Sequence, residues 1–157
     1  MDRLATVGRD AALALGAGVL LGWGAPALAA PVSDARLSAD LDGARVVPGP
    51  GDPDGRGSFR GTLTGKTREL CYELELRGIG PLTGVRIHIG RPGRADMAVQ
   101  QLVPPDHSGK VGTCVKLDRE LAHDLIRMPV LFYIEATTED FPAGAVRGQL
   151  SKPGMEE

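Results

Sequence analysis

Apolar residues recur at every second position along much of the chain. Residues 36–41 alternate Leu37, Ala39 and Leu41 with polar neighbours, and residues 58–64 do the same with Phe59, Gly61 and Leu63. The clearest case is 68–77. There Leu70, Tyr72, Leu74 and Leu76 share one face, and Glu69, Cys71, Glu73, Glu75 and Arg77 share the other. A period of two is that of a strand with one face on a core. The same pattern predicts strands at 85–90, 97–103, 111–117, 130–138 and 145–150. In the first of these, Val85, Ile87 and Ile89 point inward while Arg86 and His88 point outward. In 130–138, Phe132, Ile134 and Ala136 are inward and Tyr133, Glu135 and Thr137 outward. In 145–150, Val146 and Leu150 oppose Arg147 and Gln149. Only 118–127 changes period. Asp118 is its N-cap, and Leu121, Leu125 and Ile126 form a one-sided stripe, so a short helix is expected.

Turn formers separate these runs. Pro48-Gly49-Pro50-Gly51-Asp52-Pro53-Asp54-Gly55 cannot be regular structure, because Pro lacks a donor and Gly permits positive φ. Gly65-Lys66 reads as a hairpin turn, and Arg91-Pro92-Gly93-Arg94, Pro104-Pro105 and Pro142-Ala143-Gly144 as further breaks. About eight short strands with one short helix imply an all-β domain. The expected form is an antiparallel β-sandwich or small Greek-key barrel, immunoglobulin-like or superoxide-dismutase-like.

The N-terminus departs from this pattern. Arg3 and Arg9 precede an apolar run from Ala11 to Leu21, and Ala27-Leu28-Ala29 is a small-residue cleavage motif. Residues 1–29 therefore read as a signal peptide, 30–35 as an extension, 36–150 as the domain and 151–157 as a polar, frayed tail. No Arg-Arg pair is present and no cysteine follows the apolar run, which points to the general secretion route without a lipid anchor. The competing reading is an uncleaved anchor, against which Gly22, Gly24 and Pro26 interrupt the apolar stretch. Beyond the leader no apolar run is long enough to span a bilayer. The net charge of −2 with no basic cluster excludes nucleic-acid binding by bulk electrostatics.

Export changes the reading of Cys71 and Cys114. In an oxidising compartment an even pair is first a disulfide, and otherwise two free thiols. Both lie on the polar face of their strands. If they face each other in antiparallel register, Glu69 falls opposite Lys116 and Glu75 opposite Lys110. Such pairs contribute ~0.2–1 kcal/mol each. A bridge closing a loop of about 43 residues would contribute roughly 3–4 kcal/mol.

Several segments are similar to one known family. Gly51-Asp52-Pro53-Asp54-Gly55 followed by Gly57, Cys71-Tyr72-Glu73-Leu74 with Cys114-Val115, and above all Pro142-Ala143-Gly144-Ala145-Val146-Arg147-Gly148-Gln149-Leu150 resemble the chordin (CHRD) domain family, especially its small bacterial exported members. The last segment is close to the family's Pro-x-Gly-x-Ile-Arg-Gly-Gln-Leu ending. The resemblance implies a β-sandwich with no established enzyme activity; in chordin itself these domains belong to an extracellular protein that binds growth factors. It also locates a departure. Val85-Arg86-Ile87-His88-Ile89-Gly90 stands where the family has Ala-His-Ile-His-x-Gly. Phe132-Tyr133-Ile134-Glu135-Ala136-Thr137-Thr138 stands where it has Tyr-Val-Asn-Val-His-Thr. Of three family histidines that form a possible metal constellation, only His88 remains, with Arg86 and Thr137 in place of the others. One imidazole is a poor metal site, since transition metals normally take three or four ligands. Arg86 and Glu135 are expected either to pair across neighbouring strands or to be separately solvated.

Other chemistry is thinly represented. His107 and His123 make no metal spacing with His88. Asp52 and Asp54 lack the remaining ligands of a calcium loop. Ser58 and Ser108 lack a nucleophile-elbow context. Glu69, Glu73 and Glu75 read as a solvated strand face, and Tyr72, Phe132, Tyr133 and Phe141 are few for a carbohydrate platform. The expectation is an exported, non-enzymatic module without cofactor, whose partner is an extracytoplasmic protein or envelope component. Its polar binding face comprises Arg86, His88, Glu135, Thr137 and Arg147. The alternative is a metal-binding or redox protein that uses His88, as a weak ligand, with carboxylates such as Glu135.

Overall fold

The computed structural model describes residues 33–153. The expected signal peptide and the last residues of the expected tail lie outside them. Eight strands form one antiparallel sheet: β1 (Ala35–Asp42), β2 (Arg56–Thr64), β3 (Glu69–Arg77), β4 (Leu82–Ile89), β5 (Ala98–Leu102), β6 (Lys110–Lys116), β7 (Phe132–Thr138) and β8 (Val146–Gln149), in the order β5-β4-β7-β8-β1-β2-β3-β6. The expected all-β architecture is what the structure shows, with a refinement. The eight strands make one nearly closed sheet that wraps a shared core. The joint between β1 and β8 is narrow. It consists of the Asp42↔Arg147 pairing of β1 with β8 and a bridge between Ser38 and Ser151, closed by two backbone hydrogen bonds of 2.9 Å. Ser151, expected to fray, is therefore tied down.

Alternation built this core. Leu37 and Leu41 of β1, Phe59 and Leu63 of β2, and Leu70, Leu74 and Leu76 of β3 are buried together with Val85, Ile87, Ile134, Ala136, Val146 and Leu150. Phe59 and Tyr72 stack with centroids 5.4 Å apart. Tyr72 of β3 reaches across the core to the residue after β5. Its hydroxyl accepts from the Val103 amide at 2.8 Å and donates to the Val103 carbonyl at 3.2 Å. A buried phenol needs such partners, and here they tie β3 to the end of β5.

The helix α1 (Arg119–Arg127) carries the chain from β6 to β7. Asp118 caps it, its carboxylate accepting from the Leu121 amide at 2.8 Å. Its stripe of Leu121, Leu125 and Ile126, joined by Ala122, enters the core.

The cysteine register is as expected. Cys71 pairs with Cys114, Glu69 with Lys116 and Glu75 with Lys110. The disulfide is formed, on the exposed side of β3 and β6. Lys110 Nζ lies 3.6 Å from Glu75.

Three burial expectations are corrected. Ile89, expected in the core, is 37% exposed, because β4 ends there. Val130, expected to begin a strand, is exposed in a 3-10 turn over Pro129–Leu131; Pro129 supplies the turn's first position, and β7 starts only at Phe132. Tyr133, Glu135 and Thr137 of β7 and Arg147 of β8, all expected outward, are buried. A strand paired on both sides loses the solvent exposure of its outer face when other parts of the chain lie over it.

Candidate functional site

The outward residues of β4, β7 and β8 form two cross-strand rows. In one, Arg86, Glu135 and Arg147 lie side by side; in the other, His88, Tyr133 and Gln149. Thr137 stands beside them opposite Gly84, its hydroxyl within 2.9 Å of Thr83 Oγ1. The structure thus brings all five residues of the expected polar face together, with Glu135, Thr137 and Arg147 buried and Arg86 and His88 half-buried. Over His88, Tyr133, Arg147 and Gln149 lies the β4–β5 connection, from Gly90 to Met97.

Four of the six side chains in the two rows, Arg147, His88, Tyr133 and Gln149, bond to that connection. Arg147, only 2% exposed, donates through Nη2 to the carbonyls of Arg94 at 2.7 Å and Arg91 at 3.2 Å. His88 Nδ1 donates to the Asp96 carbonyl at 3.0 Å, which fixes the tautomer, because a carbonyl can only accept. The Tyr133 hydroxyl accepts from the Asp96 amide at 3.2 Å. Gln149 Nε2 shares its protons among the carbonyls of Gly90, Val130 and Phe132, each at 2.8 Å. Gly90 itself donates to the Leu131 carbonyl at 2.7 Å. Its φ of +151° and the Tyr133 ring, 2.8 Å from where a Cβ would sit, make glycine the residue that lets the loop close over the ring.

Tyr133 is the centre of the cluster. His88 stacks on it from β4 with centroids 4.8 Å apart, and the Arg147 guanidinium from β8 lies 3.5 Å from the ring centroid. A desolvated cation over an aromatic face is worth about 2 kcal/mol. This contact offsets part of the cost of burying Arg147, whose Nη1 has no hydrogen-bond partner among the described residues.

The charged row is less settled. Arg86 and Glu135 are in register, but the ion pair considered from the sequence is not formed; His88 Nε2 lies 3.8 Å from Glu135 Oε1, a contact that is ionic only when the imidazole is protonated. Burial pushes the Glu135 carboxyl up to about 7, against the pull of Arg147 and Arg86. Burial also pulls the His88 imidazole below its ordinary value; the Asp96 carbonyl opposes this, and the nearby Arg86 and Arg147 charges add to it. Burial raises Tyr133 as well.

As chemistry, this is a clamp. His88 Nε2 and Glu135 are the two metal-type donors present. No group of three or more His, Cys, Asp or Glu side chains suited to a metal occurs among the described residues. The donor set does not fit a tetrahedral or facial-triad centre, with Arg86 and Thr137 where further imidazoles would be needed. His107 and His123 lie elsewhere: His123 is on the exposed side of α1, 3.2 Å from Asp124. Asp52 is spent on its own turn, its carboxylate accepting from the Asp54 amide at 3.0 Å.

Sequence reasoning passed over Tyr133, Gln149 and Gly90, the residues that make the cover possible. The signal was present in part. Arg91-Pro92-Gly93-Arg94 read as a turn, and a turn directly following a strand with outward polar residues can fold back over them. Tyr133 and Gln149 lie on the same outward faces as Glu135 and Arg147.

Comparison with known proteins gives a match to the family model described as CHRD domain over residues 37–150, the stretch that holds all eight strands but the first residues of β1. No curated protein and no solved structure matches the chain at a significant level.

Proposed function

The chain belongs to the CHRD-domain family, and from that premise we propose that it is an exported, non-enzymatic protein-binding module of the cell envelope or extracellular space. One observation carries the reading. Arg147, His88, Tyr133 and Gln149, outward on β8, β4 and β7, bond to backbone groups of the β4–β5 loop, and the loop's own side chains from Arg91 to Met97 are exposed. A recognition loop fixed on a rigid sheet is a common design of binding domains. The disulfide supports an oxidising compartment, as does the secretory leader read from the sequence. Among the described residues no helix is long and apolar enough to cross a membrane.

The test is fractionation of the expressing cell, N-terminal sequencing, and cross-linked pull-down with the disulfide intact. The expected result is an extracytoplasmic protein beginning at Ala30, oxidised at Cys71 and Cys114, that captures a discrete protein partner. Cytoplasmic protein with reduced cysteines would overturn the reading. So would stoichiometric copper or zinc that is lost in His88→Ala, which would favour a metal-binding role.

A further inference from the structure

The clamp leaves an unusual surface at one end of the sheet. Ile89, Met97, Met128 and Val130 are all exposed, Met97 by 67%. Their backbones converge. Ile89 donates to the Met97 carbonyl at 3.1 Å, Gly90 to Leu131 at 2.7 Å, and Leu131 to Met128 at 3.1 Å. The Gln149 amide meets both the Gly90 and the Val130 carbonyls. The backbones that bear four exposed apolar side chains thus meet where the end of β4, the loop before β5 and the turn before β7 come together. Singly exposed apolar residues need no explanation, but a gathered set marks an interaction surface.

The borders of the patch are basic. Arg91 and Arg94 are exposed on the loop, and Arg127 is exposed beside Met128. The acids nearby are Asp96 and Asp124. Asp96 uses its carboxylate on the Met97 amide at 2.8 Å, and Asp124 lies 3.2 Å from His123. Methionine and arginine are both favoured at protein interfaces. Methionine adapts its shape, and arginine presents a planar fork to carboxylates.

We propose that this patch is the docking surface for a segment of a partner protein that carries apolar anchors flanked by Asp or Glu. The proposal rests on the protein-binding reading above and names the surface and the partner's chemistry. Charge complementarity selects the partner: an acidic segment meets three arginines, whereas a basic one would be repelled. The loop is already ordered by Arg147, His88 and Tyr133, so binding does not have to pay for ordering it.

Selection of random twelve-residue peptides on the intact, oxidised exported chain tests this, with R91E/R94E and M97S/V130S as variants at exposed positions. The expected outcome is enrichment of peptides pairing Asp or Glu with Leu, Phe or Met. They should bind at least tenfold more weakly to each variant. A version of the same peptide with Lys for each acid should gain affinity for R91E/R94E, a gain that misfolding cannot produce. Enriched peptides with no acidic bias, or unchanged binding in both variants, would overturn this surface and leave the protein-binding reading standing. No enrichment at all would overturn both. A concentration-dependent dimer dispersed by M97S/V130S would assign the patch to a second copy of the chain and overturn the proposal.

Discussion

Replacing Glu135 by Gln should stabilise this protein at alkaline pH. The carboxyl is 7% exposed, and its pKa rises from 4.5 to about 7. Each unit is worth about 1.4 kcal/mol, so holding the ionised form in place costs up to about 3 kcal/mol relative to the neutral one. The sign follows from linkage. The folded state holds this proton more tightly than the unfolded chain does. The stabilisation is therefore complete below pH 4.5 and is lost as pH rises through about 7. His88 works in the opposite direction. Its lowered pKa gives stability that is present above 6.5 and lost as pH falls. The difference between wild type and E135Q isolates the carboxyl. Urea unfolding from pH 4.5 to 8.5 should show little difference at the acid end. At the alkaline end E135Q should be more stable by up to about 3 kcal/mol, with unchanged m. An E135Q protein less stable than wild type at pH 8.5 would refute the reasoning. It would mean that attraction between ionised Glu135 and the buried Arg147 outweighs desolvation.

Three further outcomes are expected. C71S/C114S should lose about 3–4 kcal/mol of stability, because the bridge closes a separation of 43 residues; denaturant midpoints with and without reductant measure it, and no loss would show that the β3–β6 pairing suffices alone. Gly90→Ala should cost about 1–3 kcal/mol from strain at positive φ and contact with Tyr133, read as a lowered Tm, whereas an unchanged Tm would place the loop elsewhere. Tyr72→Phe removes both hydrogen bonds to Val103 and should cost about 1–3 kcal/mol, with faster amide exchange at Val103 and none of that acceleration within β1 or β2.

The strands were legible because burial on one face enforces a period of two, and the cysteine register because Glu75 and Lys110 flank it with opposite charge. Period two also names the outward residues, but not what lies above them. Tyr133 reads as solvated because nothing local in 130–138 records the β4–β5 loop folding over it. That depends on Gly90 taking a positive φ and on Arg147 reaching Arg94, a partner 53 residues away. The same limit explains Ile89: alternation assigns it a face, but the end of the pairing decides whether that face is covered. The continuity of the one sheet turns on the brief β1–β8 contact, and alternation is the same whether or not those strands touch.

His88, Tyr133, Arg147 and Gln149 together hold the β4–β5 loop. Amide exchange at Asp96, whose N–H is held by Tyr133, tests this clamp most directly when wild type is compared with Arg147→Met. Exchange at Asp96 should be slow in wild type and fast in the variant, with the β1–β3 amides unchanged. Equal protection of Asp96 in both proteins would contradict the clamp.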